Sequence, residues 1–178
     1  LINTLGENNL ALSQVYEPLI GYYSNSDDIT KAREYAQKNL DIVEHTYGKG
    51  HKKTISALKS LSACYSSEMR FREAEEYINQ AIEITEREFG LESEMMAMCL
   101  SARINLYISE GNAKEAYLSI EELEEILLKK AGKKSLPYAE LLIFKSKTDI
   151  SSEEKGKLLH EVLDIYKQHH DEGNHNFI

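Results

Sequence analysis

The sequence predicts an all-α chain, an α-solenoid of about three to four antiparallel helix pairs, and three observations predict it. First, the 178 residues hold only two prolines and no tryptophan, and they are rich in Glu, Lys, Ala and Leu, the residues that cost least in a helix. Second, a shift of 42 residues brings Tyr23, Tyr65 and Tyr107 into register, together with Ala32, Ala74 and Ala116 and with Gly48, Gly90 and Gly132. Third, within a copy the apolar residues recur every three to four positions along two successive stretches, the mark of two amphipathic helices. One helix pair cannot bury both of its faces. The copies must therefore stack and share a continuous core, with the first helix of each pair lining the inside of the resulting superhelix.

Taken in order, residues 1–6 read as the last turn of a preceding repeat, because the period places Gly6 on Gly48. The chain, opening on Leu1, is expected to be a fragment of a longer array. Repeat 1 spans 7–48, and Pro18 is expected to interrupt and kink its first helix between Tyr16 and Tyr22. Repeat 2, 49–90, is the clearest copy. Residues 54–67 carry Ile55, Leu58, Leu61, Ala63 and Tyr65 on one stripe, and a polar break follows at Ser66, Ser67 and Glu68. Residues 71–90 then carry Phe71, Ala74, Tyr77, Ile78, Ala81, Ile84 and Phe89, with Gly90 as a left-handed cap. The short side chains of Ala74 and Ala81 allow the two helices to approach closely. Repeat 3, 91–132, keeps the triplets and Ile126, in register with Ile42 and Ile84, but puts Glu124 where Leu40 and Ile82 stand. Repeat 4, 133–172, is a degenerate or capping copy: Leu142, Val162 and Ile165 fall at apolar places, while Gly173 comes one residue before the predicted position, held by Asn174. Ser146–Glu154 reads as a loop or a broken turn with Asp149 or Ser151 as the next helix cap, and 173–178 as a tail after a frayed helix end.

Composition also excludes function classes. A net charge of -9 with no basic stripe argues against duplex nucleic acid as a partner. No apolar run approaches the roughly 18 residues that a membrane helix needs. Cys64 and Cys99, 35 residues apart, suit neither a disulfide framework nor a metal site, so the cytoplasm or another reducing compartment (nucleus or organelle interior) is expected, with Cys64 a small buried filler. His160-Glu161 with Asp164 approaches the zinc-protease spacing, but Asp stands where the second histidine belongs, and His169, His170 and His175 sit in a polar end. Glu121, Glu122, Glu124 and Glu125 read as a solvated helix face. With no nucleophile, base and oxyanion set and no phosphate loop, the expectation is a chain that is not an enzyme and carries no cofactor or metal.

The string A-C-Y-x-x-x-x-R-F-R-E-A-E-x-Y-I-x-x-A-I-x-I, from Ala63 to Ile84, resembles the tetratricopeptide repeat signature with its small, aromatic, alanine, alanine order. The long period, with a glycine after an aromatic and a histidine three residues on at Gly48 to His51, is similar to the kinesin light chain form. This resemblance covers nearly the whole chain. It implies a right-handed, all-helical solenoid that binds peptides or proteins, without a cofactor or active site. The paired asparagines usual in that form are replaced by Glu17 and Pro18, Lys59 and Ser60, and Ser101 and Ala102. Of the donors that a chaperone-tail clamp would need, Lys59 and Asn105 come close.

Transferring the inward positions of the first helices gives a candidate groove. It comprises Gln14, Glu17, Gly21, Ser24 and Asn25 in repeat 1, Ser56, Lys59, Ala63 and Ser66 in repeat 2, and Met98, Ser101, Asn105 and Ile108 in repeat 3. Small and polar residues there suit the close approach of an extended chain or helix, and Asn105 carries both a donor and an acceptor for a peptide backbone. The expected role is a scaffold or adaptor that holds a protein or peptide partner on this concave surface. The alternative is a structural segment of a larger assembly, self-associating through an open repeat face.

Overall fold

The computed structural model describes residues 10–175, with side chains to residue 170. The expected end of a preceding repeat, 1–6, and the last three residues of the 173–178 tail lie outside the described residues. Eight α-helices and no strand occur among the described residues: α1 Leu10–Asn25, α2 Ile29–Tyr47, α3 Lys52–Ser67, α4 Phe71–Phe89, α5 Glu94–Glu110, α6 Ala113–Lys130, α7 Leu136–Ser146 and α8 Ser152–His175. The chain divides into two compact units between Ala102 and Arg103, inside α5.

In the first unit α1 packs on α2, α2 on α3 and α3 on α4. Leu12, Tyr16 and Ile42 form a buried cluster at the first pair, edged by Leu10, Leu19 and Tyr35. Ile55, Leu58, Leu61, Ala74, Ile78 and Ala81 are all buried in the second pair. The repeated alanines have a visible cause. Ala32 and Ala74 are fully buried, and Ser62 Oγ of α3 donates to the Ala74 carbonyl at 2.8 Å, a contact that a longer side chain at the crossing would hold apart.

The repeated tyrosines do two things. Their rings stack on a second aromatic 12 residues on: Tyr23 with Tyr35 at 5.6 Å between centroids, and Tyr65 with Tyr77 at 5.2 Å. Their carbonyls close the turn between paired helices. Asp28, Arg70 and Asn112 donate their N–H groups to Tyr23, Tyr65 and Tyr107 at 3.1, 2.9 and 2.8 Å. Such a six-residue closure needs one left-handed residue before its end. That place is held by Asp27 (φ 58), Met69 (φ 59) and Gly111 (φ 78), a further register at the same period.

Several elements differ from the sequence expectation. Gly90 (φ 86, ψ 162) and Gly48 (φ 84, ψ 165) are not left-handed helical caps; they adopt the mirror of extended backbone, which is essentially closed to other residues and swings the chain directly into the next helix. Helix α1 runs unbroken through Pro18, which is exposed, so the carbonyl left without its N–H donor faces water. Ser66 and Ser67 belong to α3, where Ser67 Oγ donates to the Ala63 carbonyl within the last turn. Ala63 and Phe89 are exposed, off the buried stripes to which spacing assigned them.

In the second unit Ile104, Leu106 and Tyr107 of α5, Ile120, Leu123 and Ile126 of α6, Tyr138, Leu141 and Leu142 of α7, and Val162 and Ile165 of α8 are buried. Ser119 occupies the register of Tyr35 and Tyr77, and Arg103 replaces the lost ring contact by bonding Ser119 Oγ at 3.0 Å and Glu122 at 2.6 Å. Ser151, not Asp149, caps the start of α8: its Oγ accepts from Glu154 N–H at 3.2 Å, and the Glu154 carboxylate accepts from the Ser151 N–H and hydroxyl. Helix α8 continues through His169 and His170, where a frayed end is expected, to His175.

Glu124, which stands in the register of Leu40 and Ile82, joins α6 to α7. Its carboxylate accepts from the Tyr138 hydroxyl at 3.0 Å and from Lys145 Nζ at 2.7 Å. Burial alone would push the carboxyl up, but these two donors hold it below the usual carboxylate range. Burial and the same bond push Tyr138 up to about 12. Replacing Glu124 by alanine leaves both donors unanswered, and a loss of about 1–3 kcal/mol is expected in urea unfolding. The stability that this carboxylate contributes is present at neutral pH and lost as pH falls through its lowered folded value, so the variant is expected to show a shallower decline in acid.

Candidate partner-binding surface

The helical register places the predicted groove residues on the accessible side of their helices. In the first unit Gln14, Glu17, Gly21, Ser24 and Asn25 of α1, Ser56 and Ala63 of α3, and Met98 of α5 are exposed, while Lys59, Ser66 and Ser101 are half-buried. The opposite sides of the same helices carry the core residues Leu12, Tyr16, Ile55 and Leu58. In the second unit Asn105 is exposed, and Ile108 lines a cleft of about 300 Å³ whose wall includes Tyr107, Ala113, Lys147 and Lys155.

Lys59 stands apart electrostatically. It is half-buried, and no carboxylate pairs with its ammonium among the described residues. Burial pushes its pKa down, with a smaller opposing influence from the Cys99 thiol of α5. Of its neighbours on this side, Ser56 is exposed, and the Ser60 hydroxyl is turned into the helix, donating to the Ser56 carbonyl at 3.1 Å. Arg33 and Arg70 behave differently, both bonding Glu68 at 2.9 and 3.5 Å and both lying over the Tyr65 ring.

The other candidate groups resolve into structural contacts. Of the acidic run, Glu122 holds Arg103 and Glu124 holds Tyr138 and Lys145, so the face expected to be simply solvated is partly engaged. His160 Nδ1 bonds the Gly156 carbonyl at 2.8 Å within its own helix. Cys64 and Cys99 are buried free thiols, Cys64 pushed up to about 11 by burial, and Cys99 lies 3.4 Å from Thr85 Oγ1.

Some contacts left no trace in the periodicity. Ser13 Oγ donates to Asn39 Oδ1 at 2.6 Å, a buried polar pair joining α1 to α2, in register with the apolar Ile55 and Ala81. Asp28 with Lys31 and Arg70 with Glu73 form the same ion pair with charges exchanged, each at 2.6 Å. A comparison of positions 28 with 70 and 31 with 73 in register would have shown the swap.

The sequence profile of the tetratricopeptide repeat family matches residues 10–87. No curated protein sequence matches the chain. Solved structures match its fold. A point-substituted form of the nearly identical TPR-like repeats of a Podosopora anserina protein assigned as a kinesin light chain superposes with a TM-score of 0.74 at 17% identity, over 95% of this chain and 81% of that one. The unsubstituted form of those repeats gives 0.70 at 17% identity, over 93% and 80%. BtubC (BKLC) from P. vanneervenii gives 0.71 at 18% identity, over 89% of this chain and 64% of BtubC. Tetratricopeptide repeats are generally protein–protein interaction modules and typically non-catalytic. Residues 10–87 thus match the tetratricopeptide repeat family, and the chain is similar in its all-helical fold to the solved TPR-like repeats of these kinesin light chain-type proteins.

Proposed function

We propose that the chain is a non-catalytic scaffold or adaptor, working without a cofactor in a reducing compartment, and that the accessible side of α1, α3 and the start of α5 holds a protein or peptide partner. The observation that carries this reading is Lys59, a half-buried ammonium beside small side chains and with no counter-ion among the described residues. A charge in that position is poorly solvated and is paired with no carboxylate among the described residues; an acidic side chain on a partner supplies one, with a charge-assisted bond stronger than a neutral one. Ser56 and Ala63, one turn to either side, leave room for a backbone to come close.

The test is capture from lysate followed by binding measurements on the captured partner. Wild-type chain is expected to retain a partner that Lys59→Glu, still folded by circular dichroism, loses. Equal retention by both would remove this surface from consideration.

A second reading, self-association, draws on α8, where Leu159, Leu163 and Tyr166 form one exposed stripe at helical spacing. Sedimentation that stays monomeric up to about 100 μM, well above the micromolar range of weak association, would end that reading.

A further inference from the structure

The third helix pair has lost bulk where the first two keep it. In register with Gly111 and Ala113, at the turn from α5 to α6, stand Met69 and Phe71 in the second copy and Asp27 and Ile29 in the first. The fourth pair opens the same place from its side. Helix α7 stops at Ser146, although the register of Ser67, the last residue of α3, falls on Ser151, so a loop replaces the last helical turn. In that loop Thr148 and Asp149 stand in the register of Leu106 and Tyr107, both of which are buried. The room left is the cleft of about 300 Å³ that Ile108 lines, bounded by Tyr107 and Ala113 of the third pair and by Lys147, Asp149 and Lys155 of the fourth. Its charges do not balance, since two lysines stand against one aspartate. No carboxylate pairs with Lys147 or Lys155 among the described residues. Lys147 Nζ lies 5.9 Å from the Phe144 ring centroid, and Lys155 is half-buried.

We propose that this cleft is a second recognition site, which takes the carboxylate of a glutamate side chain presented by a partner peptide. One carboxylate neutralises the surplus positive charge, and the bonds it accepts from ammonium groups are charge-assisted. A doubly charged phosphate exceeds that balance and meets Asp149. The wall is otherwise apolar at Ile108 and Ala113, against which the methylenes of a glutamate pack. The volume lies at the small end of the range of ligand sites, roughly 300–1,000 Å³, which suits a side chain and not a folded element. The site goes beyond the surface around Lys59: it belongs to the second unit, uses none of the residues beside Lys59, and stands or falls apart from them.

Nuclear magnetic resonance titrations of the isotope-labelled full chain test this with three small probes. N-acetylglutamate α-amide carries a side-chain carboxylate, N-acetylglutamine an α-carboxylate, and N-acetylglutamine α-amide neither. The first is expected to move the Gly111, Thr148 and Lys155 amide resonances along saturable curves in the millimolar range, as suits so small a ligand. The neutral probe is expected to leave them in place, and the α-carboxylate to bind more weakly than the side-chain one. Lys155→Gln is expected to weaken the first probe about fivefold, the upper worth of one partly exposed charge contact. Ala113→Phe, which puts the residue type of Phe71 at an exposed position in the same register, is expected to abolish saturation. Lys59→Glu is expected to change neither curve nor plateau, so failure here and failure of the Lys59 surface are read separately. Equal shifts with the neutral probe, tighter binding of the α-carboxylate, or undiminished binding by Ala113→Phe overturns the proposal. The three probes on the wild type decide by themselves should a variant fail to fold.

Discussion

Replacing Ile78 by alanine is expected to lower the unfolding free energy by about 2–5 kcal/mol, seen as a fall in the urea midpoint at constant slope. Ile78 is fully buried in α4, which packs on α3, whose Leu58 and Leu61 are also buried, so the removed methylenes leave a void that the close-packed pair fills poorly. The first copy offers a control within the same chain. In register with Leu58 and Ile78 it holds Tyr16 and Ala36, both buried, so a larger residue on the first helix accompanies a smaller one on the second. Transplanting that pair as Leu58→Tyr with Ile78→Ala is therefore expected to recover part of the loss, giving a favourable coupling of about 0.5–3 kcal/mol in a double-mutant cycle. A single Ile78→Ala variant within about 0.5 kcal/mol of wild type would contradict the account, since surface positions behave that way and core positions do not.

The same comparison explains why much of the fold is legible in the sequence. Tyr65, Ala74 and Gly90 recur because each is tied to a backbone constraint that returns with every helix pair: a carbonyl closing the turn, a crossing that admits no longer side chain, a φ of 86 that suits glycine. A constraint of that kind leaves one residue type at one spacing. Where the constraint is shared between two side chains, the residue types drift together and the register hides them. Asp28 and Lys31 become Arg70 and Glu73, and the Tyr23–Tyr35 stack gives way to Arg103 with Ser119. Asp27 and Met69 escape notice because neither is glycine, although both hold the left-handed place before the second helix. Pro18 misleads for a different reason: the rule against proline inside a helix concerns an unanswered carbonyl, and on an exposed face water answers it. For the candidate surface, helical spacing picks out accessible residues such as Ser56 and Met98, since the core occupies the opposite face. It cannot mark Lys59 as isolated, because the absence of a carboxylate depends on how α3, α4 and α5 come together, which no spacing within one helix records.

That isolation leads to the prediction most informative about function: Lys59→Met is expected to make the chain more stable and less able to hold its partner. A half-buried ammonium with no counter-ion among the described residues loses hydration on folding without an ion pair from them in return, so a flexible apolar side chain of similar length relieves a cost. The gain is about 0.5 kcal/mol, small because the group is only half withdrawn from water. The sign of the pH dependence agrees. With its folded pKa below the ordinary lysine value, the unfolded chain binds more protons as alkaline pH is approached, so this residue's penalty shrinks with rising pH. Cys64, raised from 9.0 to about 11, acts in the opposite sense there: its contribution is complete below its ordinary value and lost as pH climbs through the folded one. A titration of the wild type alone would mix the two slopes, and the difference between wild type and Lys59→Met separates them. Affinity for an acidic partner is expected to fall on the order of tenfold in the same variant, the loss of one partly desolvated charge pair. A residue whose removal stabilises the fold while weakening binding is there for the partner; if Lys59→Met destabilises the chain instead, Lys59 is a packing residue and the surface must be sought elsewhere.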